Sequence, residues 1–157
     1  MSLGNVMVVD DESHVQEVLK DFLEQLGYSV TLANDGDDAL SKFEPGMFDL
    51  IVSDLLMPKI DGLELLKRIK QQEKEVVFLM ITGYPSIETA VDAIKKGAYD
   101  YITKPFNMED VRFRIEKAFE KKQMKESLKT MNGLVWALVI SIPIWLILGI
   151  VLAIFWN

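Results

Sequence analysis

The feature that most limits the fold is an alternation. Short runs rich in branched and aromatic apolar residues recur between longer stretches whose apolar residues follow a helical period. The strand-like runs are Val6 to Val9, Ser29 to Ala33, Leu50 to Ser53, Val76 to Ile81 and Tyr99 to Thr103. Parallel strands need a crossover connection, which a helix supplies, so this order predicts five βα units around a parallel sheet. Runs one, three and four are almost unbroken in apolar character, as expected of strands covered by helices on both faces.

The intervening segments carry helix signals. Val15, Val18, Leu19, Phe22 and Leu26 form a stripe that stops at Gly27, a natural C-cap. Asp61-Gly62-Leu63-Glu64 has the spacing of a capping box ahead of Leu65, Leu66 and Ile69. Ser86 is placed to cap a helix that ends at Gly97. A last helix starts at Asn107, with Val111, Ile115, Ala118 and Phe119 on its buried face. The sequence thus divides into a domain over 1–120, a polar helical linker over 121–133 and an apolar segment over 134–156.

Charge is distributed unevenly. Residues 1–110 carry 21 acidic and 10 basic side chains, whereas 111–129 carry 3 and 7. An acidic globular part repels nucleic acid phosphates, so nucleic acid is not an expected partner. Cysteine is absent, which excludes disulfides, thiol catalysis and thiolate metal sites. From Leu134 to Trp156 there are 23 residues without a charge. At about 1.5 Å per residue these would cross a hydrocarbon core of roughly 30 Å, so a transmembrane helix is expected. Seven basic residues precede the segment and Asn157 alone follows it, which places the acidic domain on the cytoplasmic side of the inner membrane.

In open α/β sheets, ligands bind beyond the carboxyl ends of the strands. Run one leads into Asp10-Asp11-Glu12, run three into Asp54, run four into Thr82 and run five into Lys104-Pro105. Each fragment alone has an ordinary explanation: a helix cap, a turn, a strand end, a loop. Brought to one edge, they form a pocket. Several carboxylates held together repel one another, and hard oxygen donors suit Mg²⁺, which resolves the conflict. Such a site fits phosphoryl transfer, in which the moving group needs cationic partners, here Mg²⁺ and Lys104, more than acid or base catalysis.

At this point the chain resembles the receiver domains of bacterial two-component response regulators. The likeness runs through Val8-Val9-Asp10-Asp11-Glu12, Ser53-Asp54-Leu55-Leu56-Met57-Pro58, Asp61-Gly62, Met80-Ile81-Thr82-Gly83, Gly97-Ala98 and Tyr101-Ile102-Thr103-Lys104-Pro105-Phe106. It implies a flavodoxin-like (βα)5 doubly wound sheet of order 2-1-3-4-5. It also implies that Asp54 accepts a phosphoryl group from a sensor histidine kinase. Asp11, Asp54 and the Leu56 backbone carbonyl would bind Mg²⁺ directly, with Asp10 acting through water. Lys104 would pair with phosphoryl oxygens, and Thr82 and Tyr101 would form a two-position switch. A cis Lys104–Pro105 bond is expected on the same ground. Partners or a second copy would dock around the fourth helix, fifth strand and fifth helix.

Two positions depart from the common pattern. Leu56 and Tyr84 stand two residues beyond Asp54 and Thr82, where the resemblance places the path of attacking water. Their bulk predicts a long-lived phosphoryl state. Leu56 also stands where aspartyl-phosphate phosphatases carry a second acid, which counts against that alternative. A binding-only pseudo-receiver would lack part of the acidic pocket, and every member is present. His14, the one histidine, is read as an exposed residue of the first helical turn.

Overall fold

The computed structural model describes residues 3–124 and, beyond them, 127, 128, 131, 139 and 141. The chain divides into two compact units, Met1–Phe119 and Glu120–Asn157. The expected span over 134–156 lies outside the described residues, apart from Val139 and Ser141, which are helical. Among the described residues no helix is long and apolar enough to cross a membrane.

The first unit is built from β1 (Asn5–Val9), α1 (Ser13–Gln25), β2 (Ser29–Ala33), α2 (Gly36–Lys42), β3 (Leu50–Asp54), α3 (Gly62–Gln72), β4 (Val77–Thr82), α4 (Ile87–Lys95) and β5 (Asp100–Thr103). A further helix, α5, occupies 108–119 of this unit. All neighbouring strands are parallel, in the order β2-β1-β3-β4-β5. Side chains alternate along the strands and so divide the core in two. Met7, Val9, Ile51, Phe78 and Met80 pack with Ala39 of α2, Leu65, Leu66 and Ile69 of α3 and Ala93 of α4. Val6, Val8, Val52, Leu79 and Ile81 pack with Leu19 and Leu23 of α1 and with Val111, Ile115 and Ala118 of α5. Because β3 and β4 are central, every one of their residues is buried.

The N-caps form at Asp61 and Ser86, though of the expected capping box only the Asp61 half is made, the Glu64 carboxylate being taken by Lys67 and Arg68. Asp61 Oδ1 accepts from the Glu64 amide at 2.8 Å, and Ser86 Oγ accepts from the Thr89 amide at 3.0 Å. Gly27 and Gly97 terminate α1 and α4 at φ of 94° and 101°, the left-handed region in which glycine is unstrained. The α1 stripe is rotated from its expected position. The buried line is Gln16, Leu19 and Leu23, while Val18 is exposed. Helix α2 gave no periodic signal, because seven residues make barely two turns. Its cap is Asp35, whose side chain accepts from the Asp38 amide at 2.8 Å.

Candidate functional site

Strand register brings the polar ends together. Val9 pairs with Ser53, Asp54 with Ile81 and Thr82 with Thr103, so the residues that end β1, β3, β4 and β5 fall along one edge of the sheet. Asp10 and Asp54 are only 2% and 7% exposed. Lys104 reaches across this edge from the end of β5, with its Nζ 2.7 Å from Asp54 Oδ2, 2.9 Å from Asp10 Oδ2 and 3.4 Å from Glu12 Oε1. The remaining Asp10 oxygen accepts from the Glu12 amide at 2.9 Å, and the remaining Asp54 oxygen from the Leu56 amide at 3.2 Å. The Lys104–Pro105 peptide is cis.

Burial and charge act against each other here. Burial pushes the Asp10 carboxyl above its ordinary pKa, and Lys104 and the Glu12 amide offset this only in part. Burial also opposes the Lys104 charge, but the carboxylates of Asp54 and Asp10 outweigh it and hold the ammonium well above the ordinary lysine value. Carboxylate oxygens of Asp10, Glu12 and Asp54 all lie within 4.8 Å of one another. Three carboxylates and one ammonium leave two negative charges on a set of hard oxygen donors, which suits a divalent cation of the Mg²⁺ type.

The expected members do not all stand together. Asp11 is exposed and is not one of the three converging carboxylates, whereas Glu12, which the sequence places in the same acidic run without marking it as a metal ligand, is one of them. Thr82 is fully buried; its Oγ1 accepts from the Tyr84 amide at 3.1 Å, and its carbonyl accepts from the Lys104 amide at 2.7 Å. The half-buried Tyr101 places its hydroxyl 3.0 Å from Thr89 Oγ1 of α4. His14 is exposed on the first turn of α1, as expected.

The approach of α3 to this edge depends on one glycine. The Gly62 amide donates to the Leu55 carbonyl at 2.8 Å. A Cβ there would fall 2.2 Å from the Asp54 carbonyl oxygen and 2.8 Å from Met80 Sδ. Only glycine allows α3 to start this close to the residue that carries the candidate nucleophile.

Comparison with known proteins bears on the same residues. Residues 6–129 match the model of the response regulator receiver domain. The chain is 39% identical over 132 residues to the nitrogen assimilation regulatory protein NtrX of Azorhizobium caulinodans, covering 83% of this chain and 29% of that one. It is 40% identical over 114 residues to the transcriptional regulatory protein ZraR of Escherichia coli K12, covering 73% and 26%. It therefore spans less than a third of the length of these relatives. Among solved structures, a CheY-like receiver domain protein from Methanospirillum hungatei superposes with a TM-score of 0.75 at 31% identity, covering 79% of this chain and 99% of that one. NtrX from Brucella abortus superposes with a TM-score of 0.76 at 34% identity, covering 83% and 30%. With sheet order, acidic edge and sequence in agreement, the chain belongs to the response regulator receiver domains of two-component signalling.

Proposed function

We propose that Asp54 is the phosphoacceptor of this receiver and that the chain delivers its signal at a membrane surface through protein contacts. The observation that carries the first part is the pairing of a buried carboxylate at the end of the central strand β3 with the Lys104 ammonium at 2.7 Å. In the transfer, an Asp54 oxygen attacks phosphorus of a kinase phosphohistidine. The new O–P bond forms as the P–N bond breaks, and the imidazole leaves with the electron pair. The backbone amide of Leu56 and the ammonium of Lys104 hold the carboxylate in place, while Lys104 supplies positive charge to the phosphoryl oxygens.

Asp10, Glu12 and Asp54 would hold Mg²⁺, joined on the family pattern by Asp11 and the Leu56 carbonyl. When bound, the ion neutralises charge on the transferring group. Thr82 and Tyr101 act as the switch pair. The Thr82 hydroxyl accepts from Tyr84 and retains its own proton to donate to a phosphoryl oxygen.

The second part rests on the uncharged segment over 134–156, which we read as a transmembrane helix anchoring the receiver on the cytoplasmic face of the inner membrane. The transcriptional role in the name of ZraR belongs to a protein of which this chain matches 26%. The output proposed here is a contact surface around α4, β5 and α5, met by a partner protein or a second copy.

The test is labelling by a small-molecule phosphodonor with Mg²⁺, comparing the parent with Asp54→Asn. Loss of label in the variant is expected, and equal labelling would overturn the assignment. Membrane fractionation with and without residues 134–157 tests the anchor, which predicts that the truncated chain leaves the membrane fraction.

A further inference from the structure

We infer that Gln16 is a positioning residue for the phosphoacceptor pocket: its side-chain amide ties the end of β1 to the end of β2 and so sets where Asp10 presents its carboxylate. The inference rests on the reading of Asp54 as phosphoacceptor. Gln16 lies on α1 and is only 4% exposed, an unusual place for a glutamine. A buried amide is costly unless it is hydrogen-bonded. Here Nε2 donates to the Asp10 carbonyl at 2.7 Å and to the Ala33 carbonyl at 2.8 Å. These two bonds use both hydrogens of the amide, so the approach of Asn34 Oδ1 at 3.3 Å is the weak contact of the three.

The β1–β2 ladder reaches its last register pair at Val9 and Ala33, one residue short of Asp10. The Asp10 amide still donates to the Ala33 carbonyl at 3.2 Å, and the Gln16 amide adds a second tie between the same two strand ends. With the amide on the Ala33 carbonyl, the carbonyl held by Gln16, Oδ1 by the Glu12 amide and Oδ2 by Lys104, Asp10 is fixed at four atoms. The network continues from Asn34. Its amide donates to Asp38 Oδ2 at 3.0 Å, the Asp38 amide donates to Asp35 Oδ1 at 2.8 Å, and Asp35 Oδ2 meets Lys59 Nζ at 2.6 Å. One chain of polar contacts thus joins the loops that follow β1, β2 and β3. Gln16 itself touches no reacting atom.

The experiment uses the purified full chain in detergent, with phosphoramidate as donor and Mg²⁺ titrated. Gln16→Met keeps the side-chain length and removes the donors. The Mg²⁺ concentration for half-maximal labelling is expected to rise about tenfold, the usual scale for loss of a group that orients a metal ligand. Gln16→Arg places one N–H at the same number of bonds from Cα, where the glutamine amide places two, and is expected to restore part of the loss. Parent-like Mg²⁺ dependence in Gln16→Met overturns the inference. So does an equal defect in both variants when both melt at the parent temperature. Should Gln16→Met not fold, Gln16→Ala removes the same donors and leaves room for water at the two carbonyls. A raised Mg²⁺ requirement supports the inference there, and an unchanged one overturns it. Absence of labelling in the parent, or labelling that survives Asp54→Asn, would instead overturn the phosphoacceptor reading.

Discussion

Replacing Lys104 by methionine keeps an unbranched stem and removes the charge that separates two buried carboxylates. Asp10 and Asp54 then face each other with oxygens within 4.8 Å. Two unit charges at that distance repel by about 3 to 4 kcal/mol at an effective dielectric near 20. Protonating one of them at pH 7 instead costs about 4 kcal/mol from an ordinary carboxylate pKa, so neither escape is cheap. The expected loss of stability is about 3 kcal/mol at pH 7, at low salt and without divalent ions. The pH dependence has a definite sign. In the variant the folded carboxylates titrate above their unfolded values, so the folded state binds more protons and stability falls as pH rises from about 4 towards 7. In the parent, Asp10 acts in this direction, because its pKa is raised by burial. The raised pKa of Lys104 means that its stabilising contribution is fully present below 10.5 and is lost only in stronger alkali. Urea unfolding of residues 1–119 followed by circular dichroism measures the deficit. It should shrink at pH 5 and shrink again when Mg²⁺ is added at pH 7. A deficit below about 1 kcal/mol at pH 7, or one indifferent to both pH and Mg²⁺, would refute the electrostatic account of the pocket.

Three further outcomes are expected. Gly62→Ala should cost about 3 kcal/mol in urea unfolding, at the upper end for overpacking, because backbone atoms of Asp54 and Leu55 stand 2.2 and 3.0 Å from the new Cβ; a change under about 1 kcal/mol would count against this packing. Tyr101→Phe and Thr89→Val should each cost about 1 kcal/mol and the double variant little more, and additive losses would show that the 3.0 Å contact carries no coupling. Label on Asp54 should decay more slowly in the parent than in Leu56→Asp, where an acid can orient water; equal decay rates would sink the proposed shielding by Leu56 and Tyr84.

The residues legible in the sequence were those whose identity breaks a pattern at a strand end. Asp54, Thr82 and Lys104 each follow an apolar run, and parallel pairing carries all three to one edge whatever the details of the helices. Gln16 was hidden because a polar residue on an amphipathic helix reads as part of the solvent face. Its reason for burial is a pair of carbonyls on different strands, which become neighbours only after the sheet forms. Glu12 was visible as part of the acidic run after the first strand, but its place beside Asp10 and Asp54 becomes evident only with the fold, where Lys104 meets it from 92 residues away. Lys59 gave no signal either. It adopts φ 65° with its amine on Asp35, and a lysine is not a residue that announces a left-handed turn.

The contacts around Asp54 also bear on where its charge is read. In the proposed reaction, phosphorylation would replace one carboxylate charge by a group carrying about −1.5 to −2, so the Lys104 ammonium would divide itself anew and the Thr82 hydroxyl would gain a strong acceptor. Thr82 Oγ1 is tied to the Tyr84 amide in the loop before α4. The Tyr101 hydroxyl is tied to Thr89 Oγ1, which in turn lies 3.0 Å from Oγ of Ser86, the residue that caps α4. Both routes end at the N-terminus of the same helix. That helix carries Ile87, Val91 and Ile94 exposed at helical spacing, with Ile87 at 80%. On the proposed function, a shift of Thr82 and Tyr101 towards the phosphoryl group would therefore act first on the helix whose apolar stripe already faces outward. This is why the proposed signal is a contact rather than a reaction.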